Sequence, residues 1–91
     1  MNGSPAPPAL RGDESALYRA LAPRLIALLR RRVGGPEQTR EDACSFAWVQ
    51  LLRRQPERLH VLGWLYVVAC REAWRLLERD SRCLALPIED L

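Results

Sequence analysis

The chain has 91 residues, is 48% hydrophobic and 27% charged, and carries a formal net charge of +3. That length is the size of one small domain. The charge falls short of a histone-like polycation, and no apolar run is long enough to span a membrane. A domain this short buries only about two thirds of its unfolded surface, so its stability is modest and a partner can complete its core.

Residues Met1 to Gly12 hold Gly3, Pro5, Pro7, Pro8 and Gly12 and little apolar content beyond alanine. The composition is that of a disordered leader, and it lacks the apolar stretch of a secretion signal. A first helix is predicted over 13–33. Leu17, Leu21, Leu25, Leu28 and Leu29 recur at helical spacing, with Tyr18 and Ile26 beside them. Asp13, Glu14 and Ser15 suit its N-terminal turn, and Arg30, Arg31 and Arg32 suit the negative end of its dipole. Pro23 lies inside the pattern and is expected to kink the helix or divide it. Gly34, Gly35 and Pro36 end it.

A second helix is predicted over 39–54, with Thr39 and Asp42 placed as a capping box. Ala43, Phe46, Ala47, Leu51 and Leu52 form a wide apolar face. Trp48 and Val49 extend it beyond what a small core absorbs, which points to a second, partner-facing surface. Pro56 closes the helix, and a connector runs from Gln55 to Leu62. The third helix is predicted over 63–82, with Leu65, Val68, Ala69, Ala73, Leu76 and Leu77 inward. Cys83 to Leu91 reads as a tail, with Pro87 stopping continuation. There is no strand alternation and no internal repeat, so the fold class is all-α: three main helices in a small bundle.

The three cysteines, Cys44, Cys70 and Cys83, match no zinc or redox spacing. An odd count without a signal peptide fits a reducing cytoplasm, with Cys44 and Cys70 as small core residues. No metal or cofactor is expected. His60 is the single histidine, and no serine or cysteine has a base at a recognisable spacing. Gly34 and Gly35 follow no strand and precede no Gly-Lys-Ser/Thr, so they form no phosphate cradle. The residues contain no catalytic set, and the expectation is a protein that binds rather than an enzyme.

All 14 basic residues are arginine. A GC-rich genome produces that bias, and so does a surface that grips phosphates or base edges with two parallel hydrogen bonds. Arg71, Arg75, Arg79 and Arg82 fall on one stripe of the third helix, beside Trp74. A basic stripe next to an aromatic suits nucleic-acid phosphates and an unstacked base. The competing reading is a solvated face balanced by Glu72, Glu78 and Asp80. Trp64 reads as core packing or as a base-facing aromatic. Arg30-Arg31-Arg32 reads as a helix end or as a phosphate contact.

Four segments in order resemble region 2 of bacterial sigma factors of the sigma-70 superfamily, most closely the two-domain extracytoplasmic-function class. Leu17-Tyr18 through Ala22-Pro23-Arg24-Leu25 resembles the family's first helix. Glu41-Asp42-Ala43 followed by Trp48, Leu51 and Arg53-Arg54 resembles its polymerase-docking helix. Gly63-Trp64-Leu65-Tyr66-Val67-Val68-Ala69 resembles the opening of its promoter-binding helix, and Pro87-Ile88-Glu89-Asp90-Leu91 its acidic linker. The resemblance covers roughly 13–91. It implies a region 2-like domain over 13–82, followed by a linker over 83–91.

The resemblance further implies transcription initiation, with core RNA polymerase and promoter DNA as partners and an anti-sigma factor as a possible third. The second helix would dock on the clamp helices of the polymerase's largest subunit through Glu41, Asp42, Ser45, Val49, Gln50 and Arg53. The third helix and the connector would engage the −10 element through Arg58, His60, Trp64, Arg71, Arg75 and Arg79. The chain has Arg71 and Arg75 where the family commonly has Asn and Asp, and Ser45-Phe46 where it often has Gln-Glu. It contains no counterpart of region 4, the helix-turn-helix that reads the −35 element. A different reading is a helical protein-interaction module with no DNA role.

Overall fold

The computed structural model describes the backbone of residues 8–89 and the side chains of residues 8–81. It is all-α: α1 spans Glu14–Arg32, α2 spans Glu37–Arg54 and α3 spans Val61–Glu89. All three pairs of helices pack together, and α2 and α3 share the largest interface.

The core is built from one residue per turn of each helix. Leu25 and Leu29 of α1 and Val33 just after it meet Ala43, Ala47 and Leu51 of α2, and Leu65, Ala69 and Ala73 of α3. Each fully buried leucine contributes about 1.5–3 kcal/mol. The alanines keep the helix axes close, since the interaxial distance follows side-chain size. Leu17 and Leu21 pack only partly against this core, as do Val68 and Leu77.

Pro23 does not divide α1, which runs unbroken through it. The missing N–H costs one helical bond, but Pro23 is exposed, so the carbonyl left without a donor lies on the solvent side. Pro87 likewise does not stop α3, which continues to Glu89; the tail expected from Cys83 onward is therefore helical over 83–89. A proline near a helix end forfeits a single bond and leaves the neighbouring donors in place.

The capping box at Thr39 does not form. The helix begins two residues earlier, Pro36 occupies the cap position, and the Thr39 N–H donates to the Pro36 carbonyl at 3.1 Å. Thr39 is buried, and Asp42 instead accepts a hydrogen bond from Gln38 at 2.8 Å. The α1–α2 turn is held by arginines. Arg40 Nη1 donates to the carbonyls of Val33 and Gly35 at 3.0 and 2.9 Å. Glu37 takes Arg40 on one oxygen at 2.9 Å and Arg30 on the other at 2.6 Å. Gly35 is required here twice over: its φ is +89°, and a Cβ would sit 2.8 Å from Leu77 Cδ2.

Residues 1–7 lie outside the described residues, whereas Arg11 and Gly12 are tied down. Their N–H groups donate to the two oxygens of Glu14 at 2.8 and 2.9 Å, and Arg11 Nη2 donates to the Gln55 carbonyl at 3.0 Å.

Candidate nucleic-acid and docking surfaces

Two surfaces carry the residues singled out from the sequence. The first is the outside of α2. Its inner side follows a strict four-residue spacing, Thr39, Ala43, Ala47, Leu51, all buried. The remaining apolar residues are thereby turned outward: Phe46, Val49 and Leu52 are 39%, 46% and 44% exposed. Their three-residue spacing places them in one ridge along the helix. Glu41, Asp42, Ser45 and Arg53 are exposed along the same helix, and Gln50 is half-buried. Of the expected docking residues, Val49 belongs to this ridge and Asp42, Ser45 and Arg53 are exposed beside it, whereas Glu41 lines the groove toward α1 and Gln50 the groove toward α3. Phe46 and Leu52 were expected on the core side; the four-residue rhythm of small residues is the signal that separates them from it.

Trp48 is not part of that ridge. It packs against the core from the α1 side, with its ring edge-on to Tyr18, centroids 5.1 Å apart and planes at 63°. Tyr18, Ile26, Cys44 and Trp48 line a mainly apolar groove of about 590 Å³ between α1 and α2. Burial pushes the Cys44 thiol up to about 11, and burial likewise raises the Cys70 thiol. Among the described residues the cysteines are unpaired and no cluster of ligands could hold a metal ion.

The second surface is α3 with the connector before it. His60 is exposed, and its carbonyl accepts the Trp64 N–H at 3.1 Å where α3 begins. Trp64 is half-buried against the core and also lines a groove with Phe46, Gln50, Arg54, Arg71 and Arg75. The core-packing reading of Trp64 holds in part, and its remaining surface lines this groove. Arg71, Arg75 and Arg79 are exposed on one side of α3. They are not equally available. Arg75 grips Glu72 through Nε and Nη2, both at 2.8 Å, and the contact holds the Glu72 carboxyl below its usual range. Arg79 lies 3.9 Å from Asp80, a loose contact. Among the described residues Arg71 has no carboxylate partner. The Arg82 side chain lies outside the described residues.

Arg58 stands apart from this set. Its side chain is only 17% exposed, and every nitrogen of its guanidinium donates. Nε and Nη2 clasp the two oxygens of Asp13 at 2.9 and 2.8 Å, Nη2 also reaches Gln55 Oε1 at 2.8 Å, and Nη1 donates to the Pro56 carbonyl at 2.9 Å. As it stands this arginine is a clamp between the connector and the start of α1, turned away from solvent. Of the residues expected to engage DNA, Arg58 is thus the one whose guanidinium is already fully engaged within the protein. Sequence spacing alone had no means of pairing residues this far apart.

The charge pattern allows binding to anions and to an apolar partner. No helix among the described residues is long and apolar enough to cross a membrane. No protein-family model matches the chain, and no curated protein or solved structure matches it either.

Proposed function

We propose that this chain is a sigma region 2-like domain that binds core RNA polymerase through the outer face of α2 and engages the promoter −10 strand through α3. The mechanism is binding, without bond chemistry. The observation that carries the reading is the exposed Phe46–Val49–Leu52 ridge, bordered by Asp42, Ser45 and Arg53. An apolar ridge with charged margins has the make-up of a docking site, with an apolar centre and a polar rim. It falls on the helix that resembles the family's polymerase-docking helix. The exposed Arg71, Arg75 and Arg79 support the nucleic-acid half of the reading.

Size-exclusion co-elution of the full chain with core polymerase tests the docking. Val49→Asp and Gln50→Ala are expected to lose co-elution while circular dichroism stays unchanged. Persistent co-elution of both variants would remove the assignment. A second reading, a protein-interaction module without DNA contact, is favoured by one observation: Glu72 already occupies Arg75. Binding of the polymerase-bound chain to forked −10 DNA across a salt series separates the two readings.

A further inference from the structure

The groove between α1 and α2 plays no part in the reading above beyond sharing Glu41 and Ser45 with the expected docking set. Its walls run from Tyr18 to Ile26 on α1 and from Glu41 to Trp48 on α2, about 12 Å of helix. At about 590 Å³ it has the size of a ligand site. Three features mark it. The first is the aromatic pair. Tyr18 is 54% exposed and stands edge-on to Trp48, and neither the Tyr18 hydroxyl nor the Trp48 indole N–H has a hydrogen-bond partner among the described residues. The second is Pro23, exposed in the α1 wall, which leaves the Arg19 carbonyl without its usual helical donor. The third is charge. Arg19 and Glu41 are exposed, and neither forms a salt bridge among the described residues. The Arg30 guanidinium, whose field reaches Glu41, is bound by Glu37.

The two charges lie at opposite ends. A short turn joins α1 to α2, and Tyr18 meets Trp48 far from that turn, so Arg19 sits at the distal end beside them and Glu41 at the turn end. Their separation along the helix axes is roughly 14 Å.

We infer that this groove binds a proline-rich segment of a partner protein in the polyproline II conformation, with an acidic residue at the Arg19 end and a basic residue at the Glu41 end. The occupant follows from the chemistry of the walls. Both walls are helices with internally bonded N–H groups, so the groove offers no edge to a strand. An α-helical partner satisfies its own carbonyls and leaves the two free donors unused. A polyproline II segment has no internal hydrogen bonds, so its carbonyls are open to the Tyr18 hydroxyl and the Trp48 N–H. Its prolines dock on aromatic-lined grooves, and it is already extended before it binds, which limits the entropy lost. The charges set the spacing: at about 3.1 Å per residue, the acidic and basic positions stand about five residues apart.

The inference stands apart from polymerase and DNA binding, and its test needs neither. The probe is the fluorescein-labelled peptide Gly-Glu-Pro-Ala-Pro-Pro-Arg-Gly, titrated with the full chain and followed by anisotropy. Saturable binding is expected, at least about five-fold tighter than for the same peptide with alanine in place of the three prolines. Tyr18→Leu removes both ring and hydroxyl and is expected to weaken binding roughly five-fold or more, whereas Tyr18→Phe keeps the ring and loses less. Glu41→Arg is expected to weaken binding about three-fold, and a peptide with glutamate in place of its arginine restores it. Glu57→Arg makes the same change in net charge outside the groove and is expected to leave the affinity unchanged.

Five results would overturn the inference. They are no saturable binding by the unmodified chain, equal affinity for the proline and alanine peptides, and equal losses for Glu41→Arg and Glu57→Arg. The fourth is tighter binding on removal of residues 1–7, which would assign the groove to the chain's own leader. The fifth is dimerisation of the chain that the peptide reverses, which would assign it to a second copy. Circular dichroism of each variant is expected to match the parent, because Tyr18, Glu41 and Glu57 are exposed.

Discussion

Asp13 and Arg58 meet across 45 positions of sequence, and their two-pronged contact, at 2.8 and 2.9 Å, joins the start of α1 to the connector before α3. Asp13 occupies the N-cap position of α1 yet makes no capping hydrogen bond with its side chain. Its carboxylate is spent on Arg58 instead. Arg58→Met would leave the Asp13 carboxylate and the Pro56 carbonyl without this donor. A loss on the order of 1 kcal/mol or more is expected. In a domain of this size that lowers Tm by roughly 4–8 °C per kcal/mol, which differential scanning calorimetry resolves.

The same contact predicts an acid dependence. Hydrogen bonding to Arg58 holds the Asp13 carboxyl below its ordinary 3.8, and backbone N–H donation from Arg11 holds Glu14 below 4.5. A carboxyl depressed in the folded state contributes stability that is fully present above its unfolded value and is lost as pH falls through the folded one. Thermal stability should therefore fall as pH drops through and below the ordinary carboxylate range and the two groups take up protons. In Asp13→Asn the difference from the parent should be largest near neutrality and vanish at the acid end. A constant difference across that range would show that the charge on Asp13 contributes nothing.

The two sides of α2 should separate stability from docking. Leu51 is fully buried, so Leu51→Ala is expected to cost about 2–5 kcal/mol. Val49 is 46% exposed, and Val49→Asp should change stability by less than about 0.5 kcal/mol while abolishing polymerase co-elution. Urea unfolding of the two variants measures the contrast directly.

Gly35 presents a backbone test. Alanine there meets a φ of +89° as well as the end of Leu77. The side chain of Leu77 can rotate aside; the backbone angle cannot be relieved that way. Gly35→Ala is expected to cost about 1–2 kcal/mol, and Leu77→Ala in the same chain should not restore it. Full recovery in the double variant would place the whole cost in the Leu77 contact.

On the proposed function, the Glu72–Arg75 pair sets how much of the α3 stripe is open to DNA. Arg75→Ala, in the polymerase-bound state, should weaken forked-DNA binding and flatten its salt dependence by roughly 0.7 to 0.9 per lost phosphate contact. Glu72→Gln frees the guanidinium and should do the reverse. If neither variant moves affinity or slope, the stripe is a solvated face, and the protein-interaction reading takes its place.

The three helices, the absence of strand patterning and most of the core were legible in the sequence, because leucines and alanines at three- and four-residue spacing have only one way to be buried together. Leu25, Leu29, Leu65 and Ala73 are inside on that spacing. Local rules also foresaw the breaks at Gly34–Pro36 and at Pro56. They misjudged Thr39 and Pro87, and of the two outcomes they allowed at Pro23 division did not occur; the cost of a proline there is one hydrogen bond, and packing along the rest of the helix outweighs it. The periodicity of α2 left open which of its many apolar residues face the core, and only the positions of α1 and α3 turn Phe46, Val49 and Leu52 outward while seating Trp48 on Tyr18. Apart from the Glu72–Arg75 pair, which a three-residue spacing allowed, the partners of the arginines were beyond the sequence. Arg58, Arg75, Arg32 and Arg71 are the same residue on paper. Whether each is clamped, paired, set over an indole or open to a ligand depends on which carboxylate or ring the tertiary structure brings within about 3–6 Å, the range in which hydrogen bonds and cation–π contacts act.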